Sequence, residues 1–278
     1  MFRAGYVALV GLPNAGKSSL VNALVGQKVA IISSKPQTTR DNILGILTGS
    51  DYQIVFVDTP GIHHSKNALD RAMSKNVRAA VSGVDLVLYL MDGSKTPTDE
   101  EKEYIAHLET PCLVVKTKID LKNLKSFDAD IEVSSLTGEN IDALKEKILE
   151  HLPEYQDKHY IYDEDMYTDK SVKFLIAEEI REKALNILHQ EVPHGVAVEI
   201  IRFNESEDIC YIDADLICEN DRHKGMIIGK GGQTLKKIGS YARGFAEELL
   251  GKKVMLKIFV RVEKDWRGRP DKVKSLGY

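Results

Sequence analysis

No apolar run in this sequence approaches the ~20 residues that a membrane span requires. Cysteine is scarce: Cys112, Cys210 and Cys218 are the only three in 278 residues. Their spacing matches no metal-ligand pattern, so buried free thiols are expected rather than disulfides or a structural metal. No leader pattern precedes the first strand-like run, because Met1 and Phe2 lead almost directly into Tyr6-Val7-Ala8-Leu9-Val10. Together these absences point to a cytoplasmic, reduced chain. What is present is an ordinary globular mixture, 43 % apolar and 29 % charged, long enough for two domains.

Charge is unevenly placed. From Arg222 to Tyr278 there are 15 Lys/Arg and 5 Asp/Glu, a net of +10, so the overall −4 leaves −14 for residues 1–221. A basic end on an acidic body fits a polyanionic partner at that end.

In the N-terminal half, Val/Ile/Leu-rich runs of about five to seven residues alternate with segments of helical period. Strands are expected at 5–10, 43–48, 52–57, 85–91, 111–115 and 130–133. Helices are expected at 17–26, 68–81, 98–108 and 139–151. That alternation predicts an α/β domain with a mainly parallel sheet between helices.

Gly11-Leu-Pro-Asn-Ala-Gly16-Lys17-Ser18 fits G-x-x-x-x-G-K-[ST] between a strand and a helix. The glycines let backbone N–H groups turn around phosphates at the helix N-terminus. Gly11, Asn14, Ala15, Gly16, Lys17, Ser18 and Ser19 form the expected cradle. Lys17 reaches the β- and γ-phosphates, and the Ser18 hydroxyl ligates Mg²⁺. Downstream, Asp58-Thr59-Pro60-Gly61 ends an apolar run; Asp58 is placed to hold Mg²⁺ through water and the Gly61 N–H to meet the γ-phosphate. The polar stretch "KPQTTRD" lacks periodicity and reads as a mobile loop, with Thr39 favoured over Thr38 for closing on Mg²⁺. Next, Thr117-Lys118-Ile119-Asp120 follows a strand. The Asp120 carboxylate can accept from both N–H groups of guanine's Watson–Crick edge, a pair that adenine lacks. After another short strand come Ser134-Ser135-Leu136, whose Ser135 backbone can donate to guanine O6.

Residues 153–170 are acidic, aromatic and aperiodic, and read as a linker between a domain at 1–152 and one at 171–278. Beyond it the pattern is helix 171–190, strands 196–203 and 209–218, a short helix, helix 233–250 and strand 254–262. The order α-β-β-α-α-β puts Gly229-Lys230-Gly231-Gly232 between two helices. This G-x-x-G is the loop of a type II KH domain, an α+β fold that clamps about four nucleotides of single-stranded nucleic acid. Lys230, Lys236 and Lys237 supply charge for the backbone. Ile227 and Ile228 are expected on the hydrophobic floor beneath the bases.

The five N-terminal motifs, in order and spacing, resemble the translation-factor-like P-loop GTPases. With "FLIAEEIREKAL", "EVPHGVAVEI" and the KH unit added, nearly the whole chain resembles the bacterial Era family of GTPases. The resemblance implies binding of GTP and GDP with Mg²⁺, hydrolysis to GDP and phosphate, binding of the 3′ end of small-subunit ribosomal RNA, and help in assembling the small ribosomal subunit. It implies a mainly cytoplasmic protein with some peripheral association at the inner face of the membrane; a monomer is expected. Lys17, Thr39, Gly61 and Asn14 are the residues it places at the chemistry. In related loops an Asn at position 14 helps hold a monovalent cation, K⁺, in place of an arginine finger. Two departures stand out. Thr117 replaces the Asn of N-K-x-D, from which weaker guanine binding is expected. Ile62 occupies the position where Ras-like enzymes carry a water-orienting Gln. An RNA-binding scaffold with negligible hydrolysis and a membrane-surface signalling GTPase are the alternatives.

Overall fold

The computed structural model describes residues 1–35, 37–62, 67–189 and 192–278. His63 and His64, expected as loop histidines, lie outside them. Two compact units form. The first holds Met1–Ala30, the stretch from Thr39, and Met73–Asp169; the second holds Ile31–Thr38, a short piece ending at Ala72, and Lys170–Tyr278.

In the N-terminal half the elements run β1 (Phe2–Gly11), α1 (Lys17–Val25), β2 (Ile43–Thr48), β3 (Tyr52–Asp58), α2 (Ala68–Val81), β4 (Leu86–Asp92), α3 (Asp99–Ala106), β5 (Cys112–Thr117), β6 (Ile131–Glu132), α4 (Ile141–His151) and β7 (Glu154–Tyr155). The sheet order is β2-β3-β1-β4-β5-β6. All neighbours in it are parallel except β2, which runs antiparallel to β3. β1 and β4 sit in the middle and are buried along almost their whole length, as near-continuous apolar runs must be when helices cover both faces. Parallel strands finish at one edge of the sheet. The segments after Gly11, Asp58, Thr117 and Glu132 therefore gather there, where ligands of such sheets bind.

The stretch expected as a linker is fastened down instead. Glu154 and Tyr155 pair with Arg3 and Phe2 of β1. The Gln53 side-chain oxygen accepts from the Ile161 and Tyr162 N–H groups at 2.7 and 2.9 Å. Thr168 bridges to Gly45. The aperiodic sequence conceals this because backbone pairing over two residues leaves no periodic trace.

The second unit continues with α5 (Val172–Ile187), β8 (Ala197–Glu205), β9 (Ile209–Cys218), α6 (Asp221–Ile228), α7 (Gln233–Leu250), β10 (Lys253–Val262) and α8 (Pro270–Ser275). β10 lies parallel to β9, which requires the α6–α7 crossover, and β8 lies antiparallel to β9. Ile176, Ile180 and Ala184 of α5, and Leu188 just after it, enter the core with Ile212, Ala214 and Leu216 of β9 and Ile238, Ala242 and Ala246 of α7. The single tryptophan, Trp266, is fully buried and donates to the Gly195 carbonyl at 3.0 Å. Ser171 caps α5, its hydroxyl accepting from the Phe174 N–H at 3.3 Å, a cap worth about 1 kcal/mol. The sequence pattern leaves one side of α5 to solvent. The structure buries that side as well: Glu178, Glu179, Arg181 and Glu182 are all buried. No described helix is long and apolar enough to cross a membrane.

Candidate functional site

The loop from Gly11 to Ser18 turns tightly between β1 and α1. Gly11 has φ of 150°, and a Cβ there would lie 2.4 Å from the Leu90 carbonyl oxygen, so only glycine fits. Asn14 also takes a left-handed conformation, with φ of 64°, which Asn tolerates better than most residues. Gly16 caps the helix start. Lys17 is buried and donates to the Gly11 and Leu12 carbonyls at 3.0 Å each. Ser19 follows, half-buried, in the first turn of α1.

Three segments meet beside Lys17. Ser18 Oγ donates to Asp58 Oδ2 at 2.6 Å and lies 2.8 Å from Thr39 Oγ1. The Ser18 hydroxyl has one proton, given to Asp58, so Thr39 donates to Ser18. Thr38 turns away: its hydroxyl donates to the Lys35 carbonyl at 2.6 Å. Of the two threonines, Thr39 is the one beside Ser18. Burial pushes the Asp58 carboxyl up to about 6, against the pull of the Ser18 bond and the Lys17 charge. Burial brings Lys17 down to about 8 despite Asp58. Asp58 Oδ1 is buried with no hydrogen-bond partner among the described residues. An oxygen cluster with an unused carboxylate atom is a donor set suited to Mg²⁺, so the residues present fit that ion.

Gly61 lies against the phosphate loop. A Cβ on it would sit 2.8 Å from Pro13 Cα, and the Ile62 N–H donates to the Gly11 carbonyl at 3.1 Å. The Ile62 side chain packs against the core containing Val10, Val77 and Tyr89. An apolar side chain has no group with which to orient water.

The segment from Thr117 to Asp120 is tied to the Gly11–Ser18 loop. Thr117 Oγ1 lies 2.7 Å from the Ala15 carbonyl and 3.1 Å from the Met91 carbonyl. A hydroxyl with one proton serves the shorter contact best, so threonine still anchors the loop at this position. Lys118 Nζ donates to the Asn14 carbonyl at 2.6 Å and to Asp92 at 2.7 Å. Burial works against the Asp92 charge, but the Lys118 and Ser94 bonds hold its carboxyl below the usual range. Sequence reasoning missed Asp92; its only signal is its place at the C-terminal end of the apolar β4. Ser134 Oγ donates to Asp120 Oδ1 at 2.6 Å, which aims the carboxylate. Ser135 is half-buried beside it and Leu136 is 84 % exposed.

In the second unit α6 ends at Ile228 and the chain turns through Gly229, Gly231 and Gly232, with φ of 72°, 58° and 76°. Lys230 and Gly231 are exposed at the tip, with Lys236 and Lys237 on the first turns of α7. Ile227 is wholly buried in the core and Ile228 half-buried. The floor role expected of Ile227 is corrected: it supports the loop from below, because the helical twist turns it inward. A groove opens beside the loop between α7 and β10. Leu235, Ser240, Arg243, Leu256 and Ile258 line it, none of them singled out in the sequence. They are legible only once β10 is known to pair as the edge strand.

The cysteines behave as expected of structural thiols. Cys210 and Cys218 are buried, and burial pushes the half-buried Cys112 up to about 11. Among the described residues no cluster of His, Cys, Asp or Glu forms a metal-ligand set of that kind.

Comparison with known proteins places both halves of the chain in known families. A family profile described as 50S ribosome-binding GTPase matches residues 6–118, and a KH-domain profile matches residues 191–267. The GTPase Era of Clostridium acetobutylicum is 45 % identical over 301 aligned residues, covering 100 % of this chain and 98 % of that protein. The GTPase Era of Clostridium perfringens is 44 % identical, covering 100 % and 99 %. Among solved structures, Era in complex with MgGDPNP and nucleotides 1506–1542 of 16S ribosomal RNA superposes with a TM-score of 0.93 at 35 % identity, covering 100 % of this chain and 99 % of that one. A point variant of Aquifex aeolicus Era bound to GDP·AlF4⁻ gives 0.92 at 35 % identity, with the same coverage.

Proposed function

This chain belongs to the Era family of GTPases, and from that premise we propose how its own residues carry a GTP-hydrolysing, RNA-binding cycle in small-subunit assembly. The observation that carries the reading is the meeting of Ser18, Thr39 and Asp58, joined at 2.6 and 2.8 Å beside the buried Lys17. Three segments far apart in sequence converge on one cluster of oxygens next to a phosphate loop.

The Gly11–Ser18 backbone and Lys17 bind the β- and γ-phosphates and stabilise charge that builds on them during transfer to water. Ser18, Thr39 and Asp58 hold Mg²⁺, which when bound neutralises charge on the phosphates. The Gly61 N–H orients the γ-phosphate. No side chain at position 62 orients water, so backbone groups position the nucleophile. Asn14, held in its left-handed conformation, is the residue that takes K⁺ beside the phosphates. Asp120, aimed by Ser134, reads guanine.

An Era structure holds nucleotides 1506–1542 of 16S ribosomal RNA. The same partner fits here: single-stranded RNA from the 3′ end of small-subunit rRNA, with its backbone against Gly229–Gly232 and its bases over Leu235, Leu256 and Ile258. The reading is completed by a monomer that works in the cytoplasm and touches the membrane only peripherally. The decisive experiment is nucleotide turnover by the wild-type chain and Asp120→Asn. The wild type should hydrolyse GTP, faster in K⁺ than in Na⁺, and the variant should turn toward XTP, whose base edge pairs with an amide. Unchanged preference for GTP in the variant sinks the base-reading assignment; equal rates in the two salts sink the role of Asn14.

A further inference from the structure

Asp92 ends β4 with a carboxylate that the nucleotide reading leaves unused. Its side chain is 8 % exposed, and its two oxygens have separate partners. Oδ1 accepts from the Ser94 N–H at 3.0 Å and from the Ser94 hydroxyl at 2.6 Å. That is the turn an Asp side chain makes with the backbone two residues on, and it needs only one oxygen. Oδ2 accepts from the Lys118 ammonium at 2.7 Å. Lys95 also approaches Oδ2, at 3.8 Å, with its side chain 62 % exposed. The bond to Lys118 is the shorter and the less exposed of the two.

Strand pairing sets this contact, since Asp92 of β4 lies opposite Thr117 of β5. Lys118 follows with φ of 60°. Its ammonium also donates to the carbonyl of Asn14 at 2.6 Å, and Asn14 has φ of 64°. Left-handed backbone at residues other than glycine persists only where the surroundings impose it. Here two such residues are joined through one ammonium, and Asp92 supplies the opposite charge that keeps it in place. Hydrogen bonds between charged groups are roughly twice as strong as neutral ones. All of these residues belong to the first unit.

We propose that Asp92 is a positioning residue for nucleotide binding: by holding the Lys118 ammonium on the Asn14 carbonyl it fixes the separation between the segment that carries Asp120 and the loop from Gly11 to Ser18. The inference rests on the nucleotide-site reading above. In that reading a nucleotide engages both segments at once, its base at Asp120 and its phosphates at the loop. Two half-sites already at the right distance avoid the cost of arranging them on binding. An amide cannot take over from the carboxylate. Its oxygen faces either Ser94 or Lys118, and its NH2 group then meets the other donor.

The test uses the full-length chain. Asp92→Asn, Lys118→Met and the double variant are compared with wild type. The measurements are affinity and dissociation rate of a fluorescent GDP, kcat and KM with Mg·GTP, and preference for GTP over XTP, with circular dichroism for folding. Asp92→Asn should bind GDP about tenfold more weakly, the loss expected for one bond to a charged group, mainly through faster dissociation. KM for GTP should rise with it, while kcat and the preference for GTP stay within about twofold of wild type, the pattern of lost uniform binding. In the Lys118→Met background, Asp92→Asn should change GDP affinity by less than about twofold, because a residue that acts through another then has nothing to act on. Losses that simply multiply in the double variant overturn the inference. So does an Asp92→Asn chain with wild-type affinity for GDP, a loss of kcat as large as the loss of affinity, or a turn toward XTP. Should Asp92→Asn fail to fold, Ser94→Ala keeps the carboxylate but loosens it. GDP should then bind about threefold more weakly, and unchanged binding overturns the inference. A wild-type chain that binds no guanine nucleotide overturns the nucleotide-site reading and this inference with it; a wild type that binds GDP, beside an Asp92→Asn chain that binds it equally well, overturns this inference alone.

Discussion

Thr117 shows how a single residue can depart from a family pattern and keep part of its task. The expectation from sequence is weaker guanine binding, since threonine lacks the second donor of an amide. The geometry shows what it retains: a hydroxyl 2.7 Å from the Ala15 carbonyl, inside the phosphate loop. The Ala15 carbonyl is buried, so losing its donor costs ~1–3 kcal/mol. Thr117→Val, equal in shape but without the hydroxyl, should therefore weaken GDP binding by roughly 5- to 100-fold and leave the fold intact by circular dichroism. A dissociation constant within twofold of wild type would show that this bond does not hold the loop. Asp92 and Ser134 act at the same scale. Each fixes one member of the Thr117–Asp120 segment: Asp92 holds Lys118 and Ser134 holds Asp120.

Among the elements, the two glycine loops look alike in sequence and diverge in structure. The first joins a strand to a helix, and its backbone curls around a point at the helix N-terminus. The second joins α6 to α7 and projects from the surface, with nothing within 4 Å of a Cβ placed on Gly231. That emptiness is what a nucleic-acid backbone needs. Lys230→Asp with Gly231→Asp fills it, strains a residue at φ of 58° and reverses the charge facing phosphates. Single-stranded RNA binding should be lost while GTP binding is kept. The control is Lys274→Asp on the exposed side of α8, where RNA affinity should change little. A folded loop variant that still binds RNA like wild type would remove the KH loop from the binding site.

For the whole molecule, charge separates the two tasks. The net +10 of residues 222–278 lies in the unit with the G-x-x-G loop, and the −14 in the rest of the chain. RNA affinity should fall steeply with salt, because released counterions contribute to it. Removing Lys236 and Lys237 together by substitution with Gln should lower the slope of log affinity against log salt by about 1.4, or ~0.7 for each lost phosphate contact. An unchanged slope would place both lysines off the RNA path.

Much of this was legible without coordinates, for a physical reason. A phosphate loop, the Thr117–Asp120 stretch and a G-x-x-G turn are local: their pattern depends on residue types at fixed spacing along a few bonds. Strand–helix alternation likewise reports a parallel sheet, because burial on both faces demands continuous apolar runs. Tertiary structure decided what depends on distant neighbours. Residues 154–169 are fastened to the first unit although their sequence carries no period. Ile227 lies wholly inside the core. Thr117 meets Ala15 across 102 positions of sequence. Arg181 meets Thr38 across 143. A charged residue on a helix reads as solvated in any one-dimensional pattern, and only the folded chain shows it buried, bound to Glu178 and to the Thr38 carbonyl.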